Sequence, residues 1–129
     1  MEIKSFKGNI AVREVKKLRI QSDFINQWYI DYRVSCFILY TEGRPASFAL
    51  MSTMRFDPLH QHEEPKTLNY IFTLPEHRRK GFAEHLVKHV KEKHQFTAFC
   101  SNDSSEKLFT KCQCINHGDY NNTVMFRWP

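Results

Sequence analysis

Arg78-Arg79-Lys80-Gly81-Phe82-Ala83 is the stretch that decides the fold. It joins an apolar, β-prone run at residues 68–74 to a strongly amphipathic segment beginning at Phe82. A helix starting there leaves its first backbone N–H groups without partners, and their dipoles favour an anion on the helix axis. Gly81 lacks a Cβ, so the backbone can approach a phosphate closely and adopt a positive φ, while Ala83 keeps the approach clear. Arg78, Arg79 and Lys80 supply charge. Six residues alone describe equally well a βα turn with a solvated basic run, so the flanking sequence has to decide.

Phe82, Leu86 and Val90 recur at helical spacing with Ala83 and Val87 beside them, which predicts a helix packed on a sheet by one face. Lys88, Lys91 and Lys93 gather toward its end, where cations suit the helix dipole. After His94, Phe96-Thr97-Ala98-Phe99-Cys100 is again short, apolar and β-prone. Strand, helix and strand with short joints predict a right-handed βαβ crossover with parallel strands.

These residues resemble the GCN5-related N-acetyltransferases. The acetyl-CoA loop of that family has Arg or Gln, two variable residues, Gly, one variable residue, then Gly or Ala, and Arg78, Gly81 and Ala83 match it. Residues 68–75 look like the family's fourth strand. Asn102-Asp103-Ser104-Ser105-Glu106-Lys107-Leu108-Phe109-Thr110-Lys111 is similar to its Asn-x-x-Ala-x-x-Leu-Tyr-x-Lys helix, so the resemblance spans residues 67–111.

The resemblance implies an α/β fold, a GNAT-like mixed central sheet flanked by helices around a βαβ acetyl-CoA-binding core. It implies an acetyl-CoA-dependent N-acetyltransferase that needs no metal. On the same ground the CoA pyrophosphate sits on the amides of Arg78, Arg79, Lys80, Gly81, Phe82 and Ala83. Ile71, Phe72 and Thr73 pair with the pantetheine arm, and a bulge among them offers an amide to the oxyanion. Asn102 and Phe109 complete the cofactor side.

The departures from the family pattern bear on the chemistry. An alkylammonium has a pKa near 10.4, so roughly one molecule in a thousand carries a free lone pair at neutral pH, and the site must remove a proton. Relatives often keep a carboxylate on the fourth strand, but the aligned positions here are Thr67 and Asn69. Glu63 and Glu64, just upstream, are the nearest acids and act through ordered water, unless they are simply a solvated pair offsetting Lys66. Tyr70, Asp31 and His62 are weaker candidates. Many relatives have a tyrosine acid where this chain has Phe109, which has no proton to give. Tyr120 and Ser105 are the available substitutes, or the thiolate leaves unassisted, since a pKa near 8.5 makes it a good leaving group. Direct transfer in a ternary complex is expected, with Cys100 the residue that would carry a covalent route instead.

The 129 residues, 41% hydrophobic and 14% aromatic, suit one N-acetyltransferase domain over residues 1–129. Outside the resemblance, residues 1–6 are expected to form a strand and residues 10–20 a roughly helical segment with Ile10, Val12, Val15, Leu18 and Ile20 apolar. Asp23 is expected to cap a helix through Trp28 to about residue 32. Residues 35–41 and 46–56 predict a hairpin around Glu42-Gly43-Arg44-Pro45, and residues 57–66 a long loop. Residues 113–117 and 123–128 predict two last strands around Gly118-Asp119.

No apolar run approaches a membrane span and no signal-peptide core is present, which predicts a cytoplasmic or nuclear protein with no membrane partner. Cys36, Cys100, Cys112 and Cys114 lack the spacing of a disulfide framework. Pairing Cys112 and Cys114 with His60 and His62 gives no common structural-zinc spacing. The net charge of +5 raises nucleic acid as a partner, but the cations are scattered and no recognition motif accompanies them. A phosphate-rich cofactor accounts for part of the charge. Asp23, Asp31, Glu63 and Glu64 near the expected acceptor mouth favour a small cationic amine, a polyamine or diamine first, with a lysine of a basic protein tail second. The chain is expected to be a monomer or homodimer. A catalytically silent CoA-binding module would also account for the replaced catalytic positions.

Overall fold

The computed structural model describes residues 1–129. The chain order is β1 (Glu2–Lys7), α1 (Gly8–Lys17), α2 (Asp23–Tyr29), β2 (Val34–Thr41), β3 (Arg44–Thr53), β4 (Lys66–Thr73), a single 3-10 turn (Pro75–His77), α3 (Phe82–Lys93), β5 (Phe96–Cys100), α4 (Asp103–Lys111), β6 (Ile115–Tyr120) and β7 (Thr123–Trp128). The seven strands form one sheet in the order β1-β2-β3-β4-β5-β7-β6. Every neighbouring pair is antiparallel except β4 and β5, which the α3 crossover joins in parallel. The fold is therefore the mixed sheet flanked by helices that the resemblance implies.

Helices cover both faces of the sheet, so β2 and β3 read as near-continuous apolar runs. Alternation divides them. Phe37, Leu39, Ala49 and Met51 pack with Leu86, Val87 and Val90 of α3 and Phe109 of α4. Cys36, Ile38, Phe48 and Leu50 pack on the opposite face with Ala11 and Val15 of α1 and Ile25 and Trp28 of α2. Trp28 fixes α2 further, because its buried indole N–H donates to the Met51 carbonyl at 3.0 Å.

Several local expectations are corrected. The buried stripe of α1 is Ala11 and Val15, at i and i+4, which leaves Ile10 51% exposed one position round the helix. Ser22, not Asp23, caps α2 by accepting from the Ile25 N–H at 3.1 Å. The β2–β3 turn is only Glu42-Gly43, with φ of 53° and 76°, and Arg44 and Pro45 already belong to β3. In the tail, β6 continues through Gly118-Asp119 with a register break and turns at Asn121-Asn122, whose φ values are 45° and 65°. Asparagine tolerates that conformation by bonding locally.

Candidate active site

Only one residue pair joins β4 to β5, Thr67 with Thr97. Beyond it the strands part, and a cleft of about 470 Å³ opens between them. One wall is β4 from Leu68 to Thr73; the other is Ala98, Phe99 and Cys100 of β5 with Ser105, Leu108 and Phe109 of α4. Phe24 of α2, Arg78, Ala83, Ser101, Asn102 and Ser104 complete the lining.

The apex of this wedge is pinned by a buried ion pair. Arg127 of β7 is fully buried and donates to both carboxylate oxygens of Asp57, at 2.5 and 3.0 Å, and to the Thr97 hydroxyl at 2.9 Å. Asp57 also accepts the backbone N–H groups of Leu59, Gln61 and His62. The Arg127 guanidinium, opposed by burial and helped by those amides, holds the Asp57 carboxyl well below the usual carboxylate range. The loop at 57–66 is thus an ordered strap, and His62 Nε2 lies 3.1 Å from the Pro129 carbonyl oxygen.

At the mouth, Gly81 takes φ 78° as the residue before α3 and no side chain caps it. The first helical bond runs from the His85 N–H to the Gly81 carbonyl, so the amides of Phe82, Ala83 and Glu84 precede the helical ladder. Arg79 also has positive φ, 64°, which curves the loop around that point. Arg79 and Lys80 are exposed and outside the cleft lining. Arg78 folds back instead: its Nε donates to the Thr73 carbonyl at 2.9 Å and its guanidinium lies 5.3 Å from the centroid of the Phe72 ring.

The β4 edge is not uniformly open. The Leu74 N–H donates to Ala46 of β3 and Phe72 pairs with Phe48, so alternation turns the backbone of Ile71 and Thr73 toward the cleft. Phe72 contributes its ring, since its carbonyl accepts from the Ser47 hydroxyl at 3.0 Å. Thr73 has given its carbonyl to Arg78, which leaves Ile71 as the free backbone position.

The β4 bulge falls at Asn69, not within residues 71–73, because Tyr70 and Leu68 pair with consecutive residues Leu50 and Met51. Its cause is packing. Leu68 and Tyr70, two apart, would share a face of a regular strand, yet Leu68 is buried with α3 and Tyr70 packs toward α1 and α2. The extra residue reverses the phase, which then puts Ile71 with Leu68 and Phe72 with Tyr70. The out-of-phase Ile71 in Leu68-Asn69-Tyr70-Ile71-Phe72 was the only sequence signal of it.

Asn69 does not stand alone. Its Oδ1 accepts from the Ser52 hydroxyl at 3.0 Å, and its Nδ2 and Ser52 Oγ each lie 3.5 Å from Asp31 Oδ2. Beside them Phe24 stacks on Tyr70 with centroids 5.4 Å apart and planes 14° from parallel, and both rings line the cleft.

The other sequence candidates divide between the cleft lining, which takes Asn102 and Phe109, and positions outside it. Glu63 and Glu64 are exposed and outside the lining; the three strand steps from Lys66 to Asn69 alone cover about 10 Å. Tyr120 packs against Phe99 with the rings tilted by 33° and centroids 5.4 Å apart, and is not itself a lining residue. Asn102 Oδ1 caps α4 by accepting from the Ser105 N–H at 2.8 Å, and Phe109 is buried against Phe96 and Phe126. All four cysteines are buried free thiols. Burial pushes Cys36 up to about 12 and Cys114 up to about 11, and it raises Cys100 as well, although Cys100 lines the cleft. No three His, Cys, Asp or Glu side chains gather to hold a metal. No helix is long and apolar enough to cross a membrane.

The Acetyltransferase (GNAT) family matches residues 9–113, and the chain belongs to that family. It is accordingly an acetyl-CoA-dependent N-acetyltransferase, with acetyl-CoA as co-substrate. No curated protein matches the sequence. Among solved structures it is similar to the aminoglycoside N-acetyltransferase AAC(6')-Iy in complex with CoA, at 21% identity and a TM-score of 0.60 over 86% of this chain and 89% of that one. It is similar to AtaTR bound with AcCoA, at 13% identity and a TM-score of 0.61 over 97% and 92%. It is also similar to the spermidine/spermine N-acetyltransferase SpeG from Vibrio cholerae, at 14% identity and a TM-score of 0.59 over 98% and 92%. These likenesses are of fold.

Proposed function

We propose that this enzyme transfers acetyl from acetyl-CoA by direct attack of a primary amine in a ternary complex, and that the acceptor is a small cationic amine, a polyamine or diamine. The observation that carries the reading is the bulge at Asn69, set in the cleft wall beside the half-buried Asp31 carboxylate. The pyrophosphate rests on the amides that open α3, and the pantetheine arm runs along β4 toward the bulge, pairing with Ile71. The backbone at Asn69, which has no partner in the β3 ladder, stabilises the oxyanion. Glu63 and Glu64 add to the field that draws a cation to the rim rather than taking its proton.

Direct transfer is favoured by Cys100, whose burial-raised thiol is a poor nucleophile at neutral pH. The CoA thiolate leaves without a dedicated acid, as Phe109 requires; of the two hydroxyl candidates Ser105 lines the cleft and Tyr120 does not. Ile30 and Tyr32, 78% and 51% exposed beside Asp31, favour a lysine on a protein tail as the second reading. A thiol-release assay with acetyl-CoA against polyamines, aminoglycosides and lysine peptides tests the assignment. Turnover is expected to be fastest with polyamines; acetyl-CoA binding with no release on any amine would leave a silent CoA-binding module.

A further inference from the structure

Phe24 in the first turn of α2 and Asp31, two residues beyond its last, both meet β4, and together they describe an acceptor site. Phe24 stacks on Tyr70, and Asp31 reaches Asn69 at the bulge. Trp28, between them, locks the helix to the Met51 carbonyl.

The hydrogen bonds orient the carboxylate. Ser52 gives its proton to Asn69 Oδ1, which turns Asn69 Nδ2 toward Asp31 Oδ2 and leaves Asp31 Oδ1 without a partner in the protein. The nearest cation in sequence, Arg33, lies over the Tyr32 ring at 5.0 Å instead of pairing with Asp31. A half-buried carboxylate beside the cleft, held on one oxygen and free on the other, is a receptor for an ammonium group. At the far end, the Phe24 ring is 56% exposed and presents a face to the cleft, the geometry that attracts a second cationic centre and its methylene chain.

We infer that Asp31 and Phe24 select a linear amine carrying two or more positive charges, with Asp31 holding the reacting ammonium at the bulge and Phe24 with Tyr70 holding the charged remainder. This rests on the N-acetyltransferase reading above. Asp31 Oδ1 accepts the ammonium N–H and then its proton, either directly or through one water, so the neutral amine attacks the acetyl carbonyl while the proton passes from nitrogen to carboxylate. Asn69 and Ser52 are positioning residues that fix the carboxylate.

The test is steady-state kinetics of the full chain with spermidine, 1,4-diaminobutane and n-butylamine. Asp31→Asn is expected to raise KM for spermidine about tenfold or more and to lower kcat, leaving KM for acetyl-CoA within about twofold. Asp31→Glu should recover part of the loss, which a purely structural role would not predict. Phe24→Ala should raise KM about threefold for spermidine and leave n-butylamine unchanged. A wild-type enzyme that acetylates spermidine, together with an Asp31→Asn variant of unaltered amine KM and kcat, would overturn this inference and leave the N-acetyltransferase reading intact. Wild-type enzyme that releases CoA with none of the amines would overturn that reading, and this one with it.

Discussion

The closed apex and the open mouth of the β4–β5 wedge are built in opposite ways. The mouth is contiguous sequence: a strand end, a loop and the first turn of α3, where the amides of Phe82, Ala83 and Glu84 precede the helical ladder. The apex is made by residues far apart in the chain, since Arg127 meets Asp57 across 70 positions and Thr97 across 30. The cleft needs both, because β4 and β5 can part at the mouth only while something holds them at Thr67 and Thr97.

Breaking the apex should have the largest effect. Arg127→Met leaves the Asp57 carboxylate buried and unpaired, at a cost of about 3–5 kcal/mol in urea unfolding. Acid should act on the same bond. Because the folded Asp57 carboxyl lies below its unfolded value near 3.9, the pair stabilises the fold above that pH and the contribution is lost as pH falls through and below it. Thermal midpoints between pH 6 and 3 should therefore drop less steeply in Asp57→Asn, which starts from a lower plateau. An unchanged slope would mean that the pair does not pin the apex.

At the mouth the expected loss is of binding rather than of stability. Gly81→Glu places a carboxylate at the proposed pyrophosphate site and a side chain at φ 78°, so acetyl-CoA affinity by calorimetry should fall about 100-fold. A Cβ at this position meets nothing within 4 Å, so the circular dichroism spectrum should be retained. The smallest effect belongs to the wall between them. Cys100→Ser should keep kcat within about twofold, since direct transfer asks nothing of this thiol; abolished turnover with CoA still bound would argue for an acyl-cysteine.

The same division explains what could be read in the sequence. The loop, α3 and α4 announce themselves by local spacing, and the residues that match the family pattern, Arg78, Gly81 and Ala83, lie at the loop and first turn that open α3. Asp57 offered no such signal: it looked like the start of a polar loop, and only tertiary packing reveals it as the partner of a fully buried arginine. The bulge was placed too late because the one break in the β4 alternation, Ile71, shows its meaning only once the two cores, one on each face, are known. Glu63 and Glu64 were close to the strand in sequence, but proximity in an extended chain is distance in space. Asp31, named only among the weaker candidates, arrives at the bulge because α2 folds over the sheet.

The most direct test is an initial-rate study of CoA release with acetyl-CoA and spermidine both varied. Amine-dependent release, with intersecting reciprocal plots and saturation in both substrates, is the predicted result of direct transfer in a ternary complex. Tight acetyl-CoA binding with no release in the presence of spermidine or any other amine would contradict it.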